Sequence, residues 1–219
     1  MEERLENPKK FASGFCFYKV FWIFIIACFL GDVHEVLLHF LKYGEWVVRR
    51  GVIYGPFNPV YGFGAVLIYI TMYKIKDGKT IFLLGSMIGG CFEFLCSLIQ
   101  EYMFGTISWD YSNYFLNFGG RTSFFHMICW GAIAVLFLKF CVPFVDKIVE
   151  SFPLKIGTVV TWLFIIFMVF DMSISLIASR RQFARHKGIE PRNAFERRID
   201  EIYTDERLKK AYPNTMEID

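Results

Sequence analysis

The chain is poor in charged residues and lacks the short motifs that identify common soluble enzymes. Only 21% of its 219 residues are charged, whereas 55% are hydrophobic and 26 are Phe. It contains no GxxxxGK[ST] phosphate loop, no HExxH zinc motif and no CxxC pair. ATP hydrolysis through a phosphate loop is therefore excluded for this chain, and no specific reaction is indicated. We expect no cofactor and no metal.

Alternating ten-residue segments, which a membrane β-barrel requires, are also absent. What the sequence has instead is recurring runs of about 20 apolar residues, the length that crosses a bilayer as a helix. We predict an all-α polytopic membrane protein with about five spans. They are placed at 17–41, 60–73, 80–104, 122–142 (ending before Pro143) and 157–178. Four or six spans are alternatives, since the first run could break at Gly31 and either aromatic loop could enter the membrane.

The six cysteines lie in or beside these apolar segments, so we expect them to pack as small hydrophobic side chains. Residues 1–16 form a polar segment, 17–179 the transmembrane domain and 180–219 a charged tail. The first span resembles a signal-anchor helix, because no small-residue cleavage site follows it.

Basic residues suggest how the chain is oriented. Arg180, Arg181, Arg185 and Lys187 follow the last span with no acid among them, which favours a cytoplasmic C-terminus. We predict a multi-pass protein of the cell (plasma or inner) membrane, in contact with the lipid bilayer and without a nucleic-acid partner.

Polar side chains inside the spans are costly and mark candidate sites. Asp32, Glu35 and His39 are spaced i, i+3, i+7 in the first span and share an arc of about 60°. They could bind a cation, relay protons or act as acid and base. The alternative is a solvated or Arg-paired stripe near a membrane face.

The third span places a carboxylate on a closely packed face. Gly85, Gly89, Glu93, Ser97 and Gln100 fall on one side of the helix, and the two glycines allow another helix to approach. Glu93 either handles a substrate or ion, or stays protonated and hydrogen-bonded to a neighbouring helix.

Later spans add further polar groups. His126 could be a site residue or a packing histidine, and Asp171 could accept a hydrogen bond from Ser175 or pair with a base on another helix. Arg49, Arg50 and Arg121 are the nearest basic candidates for the buried acids, which need such partners to remain ionised.

Two loops rich in aromatic and turn-forming residues flank these spans. In "RRGVIYGPFNPVYGFGA" the two prolines restrict the backbone and the glycines permit close approach. Irregular backbone at membrane depth must be buried by protein or line a cavity, so we predict a packed, re-entrant-like loop. "SWDYSNYFLNFGGR" has the same character. Loop-structural roles are expected for Gly55, Pro56, Pro59, Tyr61, Gly62, Gly64, Trp109 and Tyr111.

Together these motifs resemble the bacterial membrane proteins called the putative ABC-transporter type IV family. The matching positions are Gly31 and Glu35; Arg50, Gly51, Gly55, Pro56, Pro59, Tyr61, Gly62 and Gly64; Glu93; and Trp109, Asp110, Tyr111, Ser112, Asn117, Gly120 and Arg121. The chain departs from the family pattern at Asn58, where members often carry Cys, and by one extra residue before Arg121.

The resemblance implies a permease-like transport component that would need a separate ATPase subunit if ATP-driven. Its small size suggests a homodimer or a second membrane subunit. The candidate substrate- or ion-binding residues are Glu35, Arg50, Glu93, Asp110, Asn117 and Arg121, with Asp32, His39, His126 and Asp171 as secondary candidates. The alternatives are a membrane-embedded enzyme acting on a lipid or apolar substrate, and a structural or regulatory membrane partner protein.

Overall fold

The structure, a computed structural model, describes residues 10–213 and 215–217. Most of the predicted polar segment 1–16 and residues 214, 218 and 219 of the tail lie outside this range. The helices are α1 (Phe17–Tyr43), α2 (Pro59–Met72), α3 (Gly78–Phe104), α4 (Phe124–Leu136), α5 (Val142–Val149), α6 (Leu154–His186), α7 (Ala194–Ile202) and α8 (Asp205–Ala211). The strands are β1 (Thr106–Ile107), β2 (Asn117–Phe118), β3 (Thr122–Ser123) and β4 (Met216–Glu217).

Four helical segments are long and apolar enough to cross a membrane: Phe17–Tyr43, Gly78–Phe104, Phe124–Val149 and Leu154–His186. The shorter apolar helix Pro59–Met72 corresponds to the remaining predicted span, 60–73. The all-helical membrane class is therefore confirmed, and about five spans agree with the structure. The first helix runs through Gly31 without a break, because the Tyr61 ring packs where a side chain at Gly31 would lie.

The fourth span differs from its prediction. It does not end before Pro143 but continues to Val149, through a π-helical segment at Phe137–Cys141. Pro143 lacks the N–H that an α-helix would use, and the π segment widens the helix one turn earlier, where Val142 N donates to Phe137 O. The last span also extends beyond residue 178, to His186.

Small residues set the main helix packing. α3 packs along α4, and α1 along α2. A Cβ added at Gly85 would lie 2.4 Å from the Ala134 Cβ, and one at Gly89 would lie 2.5 Å from the Trp130 Cβ. The close approach predicted from the two glycines is therefore present between α3 and α4.

One end of the bundle holds the start of α1, the α2–α3 turn and the α5–α6 connection. Phe15 stacks on Tyr73 with a 4.5 Å separation of ring centroids. Lys19, only 1% exposed, donates to Asp146 and, at 3.0 Å, to Glu150. This pairing joins α1 to α5 and its neighbouring turn, and supplies the partner that a buried ammonium needs.

The opposite end holds both aromatic loops and the tail. The tail helices pack on the first loop, where Ile53 shares an apolar cluster with Ile199, Tyr203 and Leu208. β4 pairs antiparallel with β1 of the second loop. The tail therefore contacts both loops that flank the predicted polar site.

Candidate functional site

The first loop is anchored by a buried carboxylate of α6. Asp171 is fully buried, and its two oxygens accept from Tyr54 N at 3.1 Å and Gly55 N at 2.9 Å. One turn later, the Ser175 hydroxyl accepts from Ile53 N at 3.0 Å. The loop is thus a packed element, as its glycines and prolines suggested. Asp171 forms no ion pair within the described residues and acts here as the acceptor for backbone amides.

Glu35 is the centre of a polar cluster between α1, the first loop and α2. Its carboxylate accepts from Arg49 Nε at 3.0 Å and from the Tyr61 hydroxyl at 2.6 Å. His39 Nδ1 lies 3.1 Å from Arg49 Nη1, and His34 Nδ1 lies 3.2 Å from the Tyr61 hydroxyl. We call these five residues the Glu35 cluster.

Two of its members, Tyr61 and His34, had not been assigned a binding role from the sequence, and Arg49 had been named only among the three basic candidates for the acids. Arg50 had been expected to be the cation of the site. The path of the loop instead turns the Arg49 guanidinium towards α1, where it meets Glu35. Tyr61, expected to shape the loop, presents its hydroxyl to the carboxylate. His34 falls off the Asp32–Glu35–His39 stripe, and only the position of α2 brings it to Tyr61.

Asp32 and Arg50 form a second group, in which each residue has a buried polar atom without a hydrogen-bond partner among the described residues. Asp32 is 8% exposed and lies within electrostatic range of Arg50. Asp32 Oδ1 and Arg50 Nε are both buried and have no hydrogen-bond partner in the part of the chain that the structure describes. Such unsatisfied groups are uncommon in folded proteins and often accompany functional sites.

Glu93 lies on α3 and is held by neutral hydroxyl groups. Its carboxylate accepts from Thr122 Oγ1 at 2.7 Å and from the Tyr111 hydroxyl at 3.1 Å. The second loop therefore closes over Glu93. Thr122, which had not been singled out, supplies the shorter of the two measured bonds.

Arg121 does not bond to Glu93. Its guanidinium donates to Ser97 Oγ at 3.2 Å and pairs with Glu101, one and two turns further along α3. Its carbonyl accepts from Trp109 Nε1 at 2.9 Å. Arg121 thereby ties the second loop to α3 and neutralises Glu101.

Asp110 and Asn117 make their hydrogen bonds within the second loop. Asp110 is exposed and accepts from Ser112 N at 2.9 Å and Ser112 Oγ at 2.5 Å, which holds the pKa of this carboxyl below its usual value. Asn117 donates to Ser112 O and Tyr114 O and accepts from Gly120 N, all at 3.0 Å. Both residues shape the turn that brings Tyr111 to Glu93.

His126 belongs to the same region through its ring. It stacks on Tyr111 with centroids 3.6 Å apart, and its Nδ1 lies 2.8 Å from Ser123 Oγ. The Ser123 hydroxyl is fully buried and caps α4 through His126 N. This Ser–His contact therefore fits a helix cap, not an accessible nucleophile.

The two carboxylate centres are linked through Tyr111, which donates to Glu93 at 3.1 Å and lies within electrostatic range of Glu35 and Tyr61. Burial raises the pKa of the Tyr111 phenol, and Glu93 and then Glu35 raise it further, so the phenol stays protonated and acts as a donor. We call the combined region of Glu35, Arg49, Tyr61, Glu93 and Tyr111 the loop-end polar site. Among the described residues, no group of three or more His, Cys, Asp and Glu side chains could hold a metal ion.

Comparison with known proteins points to one family. A model of the family described as putative ABC-transporter type IV matches residues 22–176. Comparison with curated proteins gave no match, and comparison with solved structures gave none. The matched range includes most of α1, all of α2 to α5, both aromatic loops and most of α6, so it covers every residue of the loop-end polar site. This chain belongs to the putative ABC-transporter type IV family.

Proposed function

We propose that this chain is a permease-like component of a membrane transport system, and that the loop-end polar site contacts the transported substrate or a coupling ion. Glu35 and Glu93 are the acids of the site, and Arg49 is its base. The proposed arrangement has the tail on the cytoplasmic side, as its basic residues favour. ATP-driven transport would then require a separate ATPase subunit, with a second copy or another membrane protein completing the pathway.

One observation carries this proposal: two carboxylates from different helices each accept a hydrogen bond from a tyrosine beside irregular backbone. Glu35 comes from α1 and Glu93 from α3, and each is contacted by a tyrosine that a loop or the following helix positions. Transporters place substrate and ion sites where helices are interrupted and irregular backbone lines a cavity. Ionisable groups within spans also mark transport paths more often than packing sites.

The two acids differ in how they could respond to a substrate. Glu35 has a cationic partner in Arg49, so a substrate could compete for that pair. Within the described residues, the side chains that donate to Glu93 are the neutral Thr122 and Tyr111. We therefore expect Glu93 to be the acid that takes up a proton or cation, because no guanidinium neutralises it.

The test is purification of the intact protein from native membranes, followed by assay of ATP hydrolysis in reconstituted vesicles. We expect an ATP-hydrolysing subunit to co-purify in fixed stoichiometry. Glu93→Gln and Glu35→Gln should each change the coupled hydrolysis by about tenfold or more, the scale of one lost charge-assisted interaction.

Glu45→Gln is the matched control. Glu45 is exposed, makes no side-chain hydrogen bond or ion pair within the described residues, and follows the same helix as Glu35. The proposal would be contradicted by the absence of an ATP-hydrolysing partner. It would also be contradicted if both test variants matched Glu45→Gln while remaining folded and assembled.

A further inference from the structure

A cavity lies at the other end of the bundle, away from both aromatic loops. Its volume is about 260 Å³. It is bounded by the end of α2, the α2–α3 turn, the start of α3, the π-helical segment and the start of α5. The lining residues used below are Tyr69, Tyr73, Lys76, Ile81, Leu138 and Lys139. Its lining is mainly apolar and includes two lysine ammonium groups and two tyrosine phenols.

A second, apolar groove begins beside this cavity. Gly78, Lys79, Phe82, Leu83, Val135 and Leu136 line it, together with Ala132, between α3 and α4. Lys139 connects the two spaces: it lines the cavity, and its Nζ would lie only 2.9 Å from a Cβ built on Gly78 of the groove. A positive charge therefore lies where the cavity meets the apolar groove.

The charge of this region is positive. Lys74, Lys76, Lys79 and Lys139 surround the acid Asp77 here. The nearby acids Asp146 and Glu150 pair with the buried Lys19, so these five lysines and three acids carry a net charge of +2. Lys76 and Lys79 make no hydrogen bond or ion pair with any described residue. Asp77 uses its carboxylate to cap α3 through Thr80, at 2.8 Å from the amide and 2.7 Å from the hydroxyl. It affects Lys139 only electrostatically.

The backbone next to the cavity is itself unusual. The π segment Phe137–Cys141 carries Leu138 and Lys139, two of the cavity's lining residues. Single π turns inside α-helices are rare and occur frequently at functional sites. Pro143 lies just beyond this π segment, and Lys139 within the segment reaches Gly78 at the start of α3.

We infer that this cavity and groove bind an anionic glycerophospholipid, with its phosphate head group at Lys76, Lys79 and Lys139 and an acyl chain along the α3–α4 groove. Lysine ammonium groups bind phosphate as point charges, so this cluster suits a phosphate head group at either face of the membrane. The occupant follows from the chemistry of the two spaces: an apolar groove open to the bilayer continues into a site with a net positive charge. This site is separate from the loop-end polar site and does not depend on the transport proposal.

The test compares lipid binding to the purified full-length protein by native mass spectrometry. Phosphatidylglycerol and phosphatidylcholine with identical acyl chains are added separately. We expect the wild type to retain phosphatidylglycerol preferentially. Lys76→Gln/Lys139→Gln should bind it about 30-fold more weakly, from the loss of two lysine contributions near the membrane surface.

Lys147→Gln/Lys155→Gln is the control pair. These lysines belong to α5 and α6 at the same end of the bundle, are exposed, and line neither space. Removing them changes the net charge equally and should leave affinity for phosphatidylglycerol unchanged.

Ala132→Trp tests the groove without changing charge. Ala132 is exposed in the groove wall, so an indole there should block the acyl chain and weaken phosphatidylglycerol binding while thermal unfolding stays close to wild type. Glycerol 1-phosphate, which has the head-group phosphate but no chain, should not displace the lipid at equal concentration. The inference is overturned by equal retention of the two lipids or by equal loss in the test and control pairs. Full binding by Ala132→Trp, or displacement by glycerol phosphate, would overturn it too.

Discussion

Replacing Asp171 by Ala should release the first aromatic loop. The carboxylate is the acceptor for Tyr54 N and Gly55 N, at 3.1 and 2.9 Å, and lies in a fully buried position on α6. Alanine removes both acceptors and leaves two amides without partners. Ser175 continues to hold Ile53 N, so the defect should be local to the following two residues.

The magnitude follows from the number of bonds lost. A buried donor left unsatisfied costs about 1–3 kcal/mol, so two donors cost about 2–6 kcal/mol. This loss should lower the free energy of local opening of the loop. Amide exchange at Tyr54 and Gly55 should therefore accelerate by at least roughly 30-fold. Asp171→Asn keeps one acceptor oxygen and should show about half of the free-energy change.

The measurement is hydrogen–deuterium exchange by mass spectrometry of the protein in micelles, with peptides covering the first loop. Ser173→Ala is the matched control, because Ser173 is exposed on the same helix and makes no hydrogen bond within the described residues. If the Asp171→Ala protein is folded and its amides at Tyr54 and Gly55 exchange at the wild-type rate, Asp171 is not the anchor of this loop.

Two further predictions concern the tail and the α3–α4 contact. Burial alone would raise the pKa of Asp200, but hydrogen bonds from two arginines of α6 outweigh it and hold this pKa below its usual value. The stabilisation is therefore fully present above about pH 4 and is lost as the pH falls through the folded-state pKa. Protease cleavage of the tail should rise in that acid range, whereas Asp200→Asn should be cleaved readily at every pH. Gly89→Leu would force a side chain into the Trp130 ring and should lower the free energy of unfolding by about 1–3 kcal/mol or more. Met87→Leu, at an exposed position of the same helix, should leave it unchanged. Denaturant titration in mixed micelles measures both, and equal stability of the two variants would contradict the close packing.

The membrane class could be predicted because it depends on local properties. A run of apolar residues long enough to cross a bilayer is visible in the sequence whatever the helix contacts. The same holds for Gly85 and Gly89, whose spacing places them on one face of α3 before any partner helix is known. Helix ends were less accurate, because Pro143 was expected to end a helix that a π segment carries past it.

The pairing of the site residues could not be predicted in the same way. Arg49 and Arg50 are adjacent in sequence, and only the path of the loop selects Arg49 for Glu35. Arg121 follows the loop that covers Glu93, yet its guanidinium reaches Glu101. Which partner a long side chain meets depends on how neighbouring helices are rotated, and sequence spacing within one element carries no information about that rotation.

The sequence by itself determined that this protein is a bundle of apolar helices, with acids inside these helices and two loops rich in aromatic, glycine and proline residues. These features follow from residue type and helical period alone. Only the tertiary structure decided that Asp171 anchors one loop, that Thr122 and Tyr111 close the other over Glu93, and that the tail contacts both. The physical reason is distance along the chain: these contacts join residues tens of positions apart or more, and they form only when packing brings the helices and loops together.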